Sequence, residues 1–284
     1  MTDADRTSLP VHARPPGKAP VGRAVPLAIY KVGRRVAQGL VGLAVCELIW
    51  EMLRTTGVLS PAAAPSAQSV ARAFVRGISD GALVEVTIQT VQIWAVSTCL
   101  ALLVGVALGL VIGMSRWADA LTKPLFEILR PIPAVAVLPV AIITLGIGPS
   151  MQIPIAAYGA MWPLLYGARA GVTEADPMWS DACRSFGIAK WSYVRRVVLP
   201  AALPSILTGL RIAVVVSLAV SVGVELVMEG GGGLGQYVGL AAQRGSMVDA
   251  ASGALAAGIL GTVITLVFKA VEHRVIPWAE TRGQ

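Results

Sequence analysis

Long apolar runs separated by short polar stretches constrain this chain more than any other feature of its sequence. Of its 284 residues, 55% are hydrophobic and only 14% are charged, whereas soluble domains carry about 25% charged residues. A helix needs about 20 mainly apolar residues to cross the hydrocarbon core of a bilayer. Because the mean hydropathy is +0.71 and several runs approach that length, the sequence predicts an all-α integral membrane protein with one membrane domain.

About six membrane spans can be placed along the chain. Residues 1–30 are rich in Pro, Arg and Ala, lack the pattern of a cleaved signal peptide, and indicate a disordered tail. Residues 31–278 are expected to form the transmembrane domain. Within it, residues 69–78 are expected to form a short amphipathic helix on the outer surface. The predicted spans cover about residues 36–53, 88–113, 133–148, 152–172, 206–228 and 251–271.

Basic residues are distributed unevenly between the two sides of this topology. Six spans put both termini on one side, and that side carries 19 of the 23 Lys and Arg residues, against four on the other. By the positive-inside rule, both termini and the polar loop 174–204 are cytoplasmic. The net charge of +7 follows from this distribution and requires no nucleic-acid partner.

Glycine recurs every fourth residue in the second span, at Gly105, Gly109 and Gly113. A doubled G-x3-G ridge allows the backbones of two membrane helices to approach closely. The alternative is that these glycines only relieve local crowding.

Residues that carry chemistry are sparse in this chain. Cys46, Cys99 and Cys183 lack metal-ligand spacing, and the first two lie in apolar runs, so burial as small hydrophobic side chains is expected.

The glycine run 230–235 has no following Lys-Ser/Thr, which indicates a flexible re-entry loop rather than a phosphate loop. Without an Asp/Glu/His relay through the spans, a proton-driven carrier is disfavoured. No Ser-His-Asp set or paired carboxylates support an intramembrane enzyme.

The polar loop 174–204 carries a spaced motif. Small residues at its start would let a helix seat deeply in a groove, and Gly187 would permit a sharp bend. Pro200 and Pro204 are expected to stop one helix and let the chain re-enter the membrane. The motif residues are Asp181, Ala182, Cys183, Arg184, Gly187, Val197, Leu199 and Pro200.

This spacing resembles the E-A-A-x3-G-x9-I-x-L-P loop of the permease subunits of bacterial ABC importers, in particular the sulfonate, taurine and nitrate group. The resemblance covers residues 36–278. Asp181 stands where the family has Glu, and Cys183 stands for its second Ala. Four further segments carry the resemblance: Arg130-Pro131-Ile132-Pro133, Gly146-Ile147-Gly148, Leu207-Thr208-Gly209-Leu210-Arg211, and Glu225-Leu226 with Gly233-Leu234-Gly235.

The resemblance implies the type I importer permease fold in the bacterial cytoplasmic membrane. It implies a second permease copy forming a pathway along the dimer axis, two cytoplasmic ABC ATPases on the coupling loops, and an extracytoplasmic solute-binding protein. ATP and Mg would be bound by the ATPase, and this chain would need no cofactor and have no catalytic site. The basic residues of the loop would pair with acidic groups of the ATPase or with anionic lipid head groups.

Six polar residues on apolar segments are candidates for the translocation path: Thr144, Gln152, Tyr158, Ser217, Ser221 and Glu225. Hydroxyls in spans often bond back to their own helix instead. For Glu225, the alternatives are a gate at the outer mouth, a partner of the neighbouring glycine loop, or a water-facing residue at the interface.

The leading hypothesis is a permease subunit that imports a small organic anion such as a sulfonate, taurine or nitrate-like solute. One alternative is the same transporter class with a vitamin precursor or an aromatic acid as solute. The other is a membrane scaffold or enzyme that uses no ATPase.

Overall fold

The computed structural model describes residues 24–57, 64–173, 183, 185–228 and 230–275. The chain divides into two compact units, Met1–Ser60 and Pro61–Gln284. The described part of the first unit is mainly one helix, α1 (Ala24–Thr55). Near the end of α1, the Arg54 guanidinium donates to the Glu51 carboxylate across 2.5 Å.

Every regular element in the described part of the second unit is helical. The elements, in chain order, are α2 (Ala67–Ser79), α3 (Ala82–Gly113), α4 (Arg116–Leu129), a 3-10 turn (Ala134–Val137), α5 (Leu138–Leu145), α6 (Pro149–Thr173), α7 (Lys190–Tyr193), a π turn (Val194–Val198), α8 (Leu199–Val227), α9 (Leu234–Gln243) and α10 (Met247–Val275).

Helix α2 confirms the amphipathic helix expected at residues 69–78. Its start is fixed by Ser66, whose Oγ accepts the backbone N–H of Ser69 at 3.3 Å. Serine at this position satisfies one of the N–H groups that the first turn of a helix leaves unpaired.

Helix α6 is the centre of the second unit, with α3 packed on one side and α8 on the other. Leu164 and Leu165 are fully buried in this helix. The surrounding core is built largely from alanine and other small residues, such as Ala101 of α3 and Ala213 of α8. In a bilayer there is no hydrophobic driving force between helices, because lipid tails are as apolar as the side chains. Close van der Waals contact therefore holds membrane helices together.

The glycine ridge of α3 faces α6, which confirms the predicted close contact. A Cβ added to Gly105 would lie 2.7 Å from the carbonyl oxygen of Met161, and one at Gly113 would lie 2.9 Å from the Cβ of Val172. Neither helix has room for a side chain at these points. The other side of α6 repeats the arrangement, because a Cβ on Gly167 would lie 2.7 Å from the carbonyl oxygen of Ser205 on α8.

The third apolar run does not form one straight helix. The 3-10 turn Ala134–Val137 leads into α5, whose eight residues span only about 12 Å. The pair Arg116–Leu129 and Ala134–Leu145 is bent by 82° at the Pro131-Ile132-Pro133 break. Proline cannot donate a helical hydrogen bond and restricts the residue before it, which accounts for the break.

Three helices in the described residues are long and apolar enough to cross a membrane: Ala82–Gly113, Trp191–Val227 and Met247–Glu272. A fourth is obtained if the bent pair counts as one broken span. The count of six spans stays a prediction.

The expected burial of the cysteines is wrong for two of them. Cys46 on α1 and Cys99 on α3 are exposed, and Cys183 is half-buried. In a membrane protein the outer face of a helix contacts lipid and is as apolar as its core. An apolar run therefore does not by itself place a side chain in the protein interior.

Replacing Gly105 with leucine tests the close helix contact. We expect a loss of about 1–3 kcal/mol of stability from overpacking against α6, measured as a lower melting temperature of the purified protein in detergent. The matched control is Gly258→Leu on α10, where an added Cβ would meet no heavy atom within 4 Å. Equal melting temperatures for the two variants would contradict the packing described here.

Candidate functional site

The predicted coupling segment is only partly described. Asp181, Ala182 and Arg184 lie outside the described residues. Cys183 is half-buried, and its carbonyl oxygen accepts the N–H of Ile188 at 3.0 Å. Gly187 has a φ of +66°, a left-handed conformation that glycine adopts without strain.

The expectation that Pro200 and Pro204 stop a helix is wrong. The chain is helical without interruption from Trp191 to Val227, and the π turn Val194–Val198 joins α7 to α8. Pro200 lies directly after the π turn, and local π geometry is one of the adjustments by which a helix accommodates proline. Pro204, further inside, fits the tolerance of membrane helices for proline when local π geometry and neighbouring groups satisfy the freed carbonyls. Val197 and Leu199 of the motif lie on this continuous helix.

Three apolar side chains project from this segment, and sequence reasoning missed them. Phe186 is 82% exposed and Trp191 is 74% exposed, with Ile188 between them also exposed. Aromatic side chains, tryptophan in particular, are common anchors of protein interfaces. They could have been found from the sequence as apolar residues within a stretch that is otherwise polar.

The path candidates separate into two groups in the structure. Ser217, Ser221 and Glu225 recur every four residues on one face of α8 and are fully buried, as is Gln152 on α6. The Ser217 and Ser221 hydroxyls have no hydrogen-bond partner among the described residues. Gln152 Nε2 lies 3.7 Å from the Met228 sulfur. All four side chains are enclosed by protein in this conformation.

The hydroxyls of Thr144 and Tyr158 both donate to backbone carbonyl oxygens. Thr144 Oγ1 donates to the carbonyl oxygen of Val140 in its own helix at 2.9 Å. Tyr158 donates to the carbonyl oxygen of Leu129 at 2.6 Å and so ties α6 to the end of α4. Both belong to the wall of an apolar groove between α5 and α6.

Glu225 organises a buried hydrogen-bond network. Its Oε2 accepts the Thr90 hydroxyl of α3 at 2.9 Å and the Gly235 N–H at 3.0 Å. The Thr90 Oγ1 in turn accepts the Leu234 N–H at 2.8 Å. Because Glu225 is only 1% exposed, the water-facing alternative is wrong, and the residue is a partner of the glycine loop.

The glycine loop is consequently held rather than free, which corrects the expectation of flexibility. Besides its bonds to Glu225 and Thr90, the Gly233 N–H donates to Gln89 Oε1 at 2.9 Å, and the Gly232 N–H donates to Gln236 Oε1 at 2.6 Å. Gly235 sits so close to α8 that an added Cβ would collide with its backbone. Glycine is used here for close approach.

A second feature that sequence reasoning missed is a cavity of about 750 Å³ between α6 and α8. It is lined by the stretch of α6 from Gly159 to Ala170, the stretch of α8 from Ser205 to Val216, and Arg130. The Arg130 guanidinium lies 5.0 Å from the centre of the Tyr166 ring. The sequence feature that could have drawn attention to Arg130 is the Arg-Pro-Ile-Pro segment, which it begins.

Replacing Thr90 with valine tests the network. The change removes one donor to Glu225 and the acceptor of the Leu234 N–H, each worth about 1–3 kcal/mol when a buried group is left unpaired. We expect a lower melting temperature and faster hydrogen exchange at the amides of residues 232–235. Thr98→Val is the control, because the Thr98 hydroxyl bonds only the Trp94 carbonyl oxygen of its own helix. Unchanged exchange in Thr90→Val would show that the network does not hold the loop.

Comparison with known proteins agrees with the earlier resemblance. A family model described as "Binding-protein-dependent transport system inner membrane component" matches residues 101–280. The chain is 31% identical over 189 residues to a bicarbonate transport system permease of Synechococcus elongatus, covering 66% of this chain and 68% of the relative. It is 28% identical over 254 residues to the taurine transport system permease of Escherichia coli, covering 88% and 92%.

Solved structures share the fold. A chain from inward-facing structures of the MetNI methionine ABC transporter superposes with a TM-score of 0.58 at 22% identity, covering 68% of this chain and 95% of that one.

Proposed function

The chain belongs to the family of binding-protein-dependent transport system inner membrane components, the membrane subunits of ABC importers, and we propose that its solute is a small anion of the sulfonate, taurine or nitrate type. The observation that carries the proposal is similarity along most of the chain to the taurine permease. Relatives named for bicarbonate, nitrate and aliphatic sulfonates also match. Each of these solutes is an oxyanion or carries one.

In the proposed assembly, two copies of this chain form the pathway, and two cytoplasmic ATPases bind ATP and Mg and carry out hydrolysis. A solute-binding protein delivers the anion from outside, and both termini lie in the cytoplasm. The distribution of basic residues supports this orientation. The chain itself would hold and release the solute without covalent chemistry.

The segment from Cys183 to Pro200 would dock into the ATPase. Its exposed Phe186, Ile188 and Trp191 offer an apolar anchor, and Arg195 and Arg196, both exposed, offer charges at the rim. A buried apolar centre with a polar rim is the usual anatomy of a protein interface.

Replacing Gly187 with proline tests this docking. Proline fixes φ near −65°, against +66° for Gly187, so the bend would be lost. We expect the ATPase to stop co-purifying with the permease in detergent. Gly245→Pro imposes a similar backbone conflict, since Gly245 has a φ of +77°, at the turn before α10 and outside the docking segment. Full recovery of the ATPase with Gly187→Pro would argue against the proposed interface.

A pull-down of the tagged chain from its own cells, with partners identified by mass spectrometry, tests the function as a whole. We expect a nucleotide-binding subunit and a solute-binding protein. Titration of that binding protein with taurine, nitrate, bicarbonate and an alkanesulfonate would then identify the solute class. A binding protein that recognises none of these anions but a vitamin precursor or an aromatic acid would replace the proposed solute. Recovery of the chain without any ATPase, even after cross-linking, would instead favour a scaffold.

A further inference from the structure

Among the described residues that line the cavity between α6 and α8, Arg130 is the one with a formal charge, and that charge is positive. Tyr166 is the other ionisable residue of this described lining, and no carboxylate belongs to it. From this arrangement we propose that the cavity binds the oxyanion group of the solute during transport, and that Arg130 is the residue that holds it. The inference rests on the transport function proposed above and adds the site where the anion binds.

No described carboxylate neutralises Arg130. The ion pairs among the described residues join Arg54 to Glu51 and Arg169 to Asp119, and no hydrogen bond of the described part uses the Arg130 guanidinium. Its five N–H donors are therefore available to a ligand. A guanidinium offers two parallel donors that match two oxygens of a carboxylate, sulfonate or nitrate.

Arg169 shows the contrast. It lies on α6 as well, but its Nη2 donates to Asp119 Oδ2 at 2.9 Å and its Nε donates to Oδ1 of the same carboxylate. This bidentate pair joins α6 to α4 and uses the donors that an anion would need. Of these two arginines, Arg130 is the one that lines the cavity, and it has no acidic partner among the described residues.

Aromatic side chains position the free arginine and stiffen the wall. A cation 5.0 Å from the Tyr166 ring centre is attracted to the face of the ring, which restricts the guanidinium without using its N–H groups. Trp162, also in the wall, packs edge-on against Phe126 and Tyr158 with ring centres 5.7 Å apart in both pairs.

The size and floor of the cavity suit a small hydrated anion. Its volume of about 750 Å³ falls within the usual range of about 300–1,000 Å³ for small-molecule sites. A Cβ on Gly209 would lie 2.5 Å from the carbonyl oxygen of Pro163, so the two helices meet through their backbones at this point of the lining. A single arginine in an open cavity binds weakly, as a transport path requires for release.

The test uses the complete complex of permease, ATPase and binding protein in phosphatidylcholine vesicles, which contain no anionic lipid. Initial uptake of taurine, nitrate and bicarbonate is measured for wild type, Arg130→Ala, Arg130→Lys and the control Arg211→Ala. Arg211 is an exposed arginine of α8 that does not line the cavity. We expect Arg130→Ala to lower uptake of the transported anion about tenfold or more, Arg130→Lys to recover part of it, and Arg211→Ala to resemble wild type, with the ATPase co-purifying in every case.

Four results would overturn the inference. Equal uptake by Arg130→Ala and wild type would exclude a role in holding the solute. If uptake is equal and native mass spectrometry shows an anionic phospholipid bound to wild type purified from cells but absent from Arg130→Ala, the ligand of the arginine is a lipid head group. Loss of the ATPase from Arg130→Ala would mean that the arginine supports the structure. A wild-type complex that binds its ATPase but moves none of the three anions would refute the proposed solute class, and this inference with it.

Discussion

The close approach of α6 to its neighbours is the contact on which the rest of the structure depends. Glycines of α3 meet one side of α6, and glycines of α6 and α8 meet on the other, at distances that exclude a side chain. In lipid, dispersion contacts and short-range polar contacts hold helices together, because burial from water contributes little. Both candidate regions depend on this arrangement. The cavity lies along the line where α6 and α8 touch, and the Glu225 network needs α3 and α8 at a fixed separation.

Polar groups are used in two distinct ways around this core. In the Glu225 network, side-chain oxygens of α3 and α8 satisfy consecutive backbone N–H groups of the glycine loop. Such a network is stabilising because its buried donors are paired, and an unpaired donor would be costly. Arg130 represents the opposite case. Its charge lies at an open cavity, and no acceptor in the described part of the chain uses its donors, so they are available to an anion that enters.

Much of the fold followed from the sequence, and the exceptions have physical reasons. The helical class, the amphipathic helix α2 and the contact face of the α3 glycines all depend on local pattern, which a single sequence carries. The broken third run and the unbroken helix through Pro200 were not predicted. Whether proline ends a helix depends on neighbouring groups that satisfy the freed carbonyls, and these are tertiary features. The prediction that Cys46 and Cys99 are buried was wrong, because apolar residues suit both the lipid-facing side of a helix and the protein core. The polar candidates Ser217 and Ser221 were identifiable by type, whereas the cavity beside Arg130 is a property of two helices together and left no motif of its own.

The unbroken helix from Trp191 to Val227 has a mechanical consequence. Its 37 residues span about 55 Å, longer than the roughly 30 Å hydrocarbon core. One end begins at the exposed Trp191, shortly after Gly187. The other end carries Glu225, which is hydrogen-bonded to the glycine loop. A helix of this length acts as a lever when it moves as one body. A tilt of about 5° about its middle would displace each end by about 2.4 Å in opposite directions, by the rise per residue alone, and a shift of that size is comparable to the hydrogen-bond lengths that hold the loop. If the helix moves as one body, movement at one end strains the other without any intervening relay of side chains.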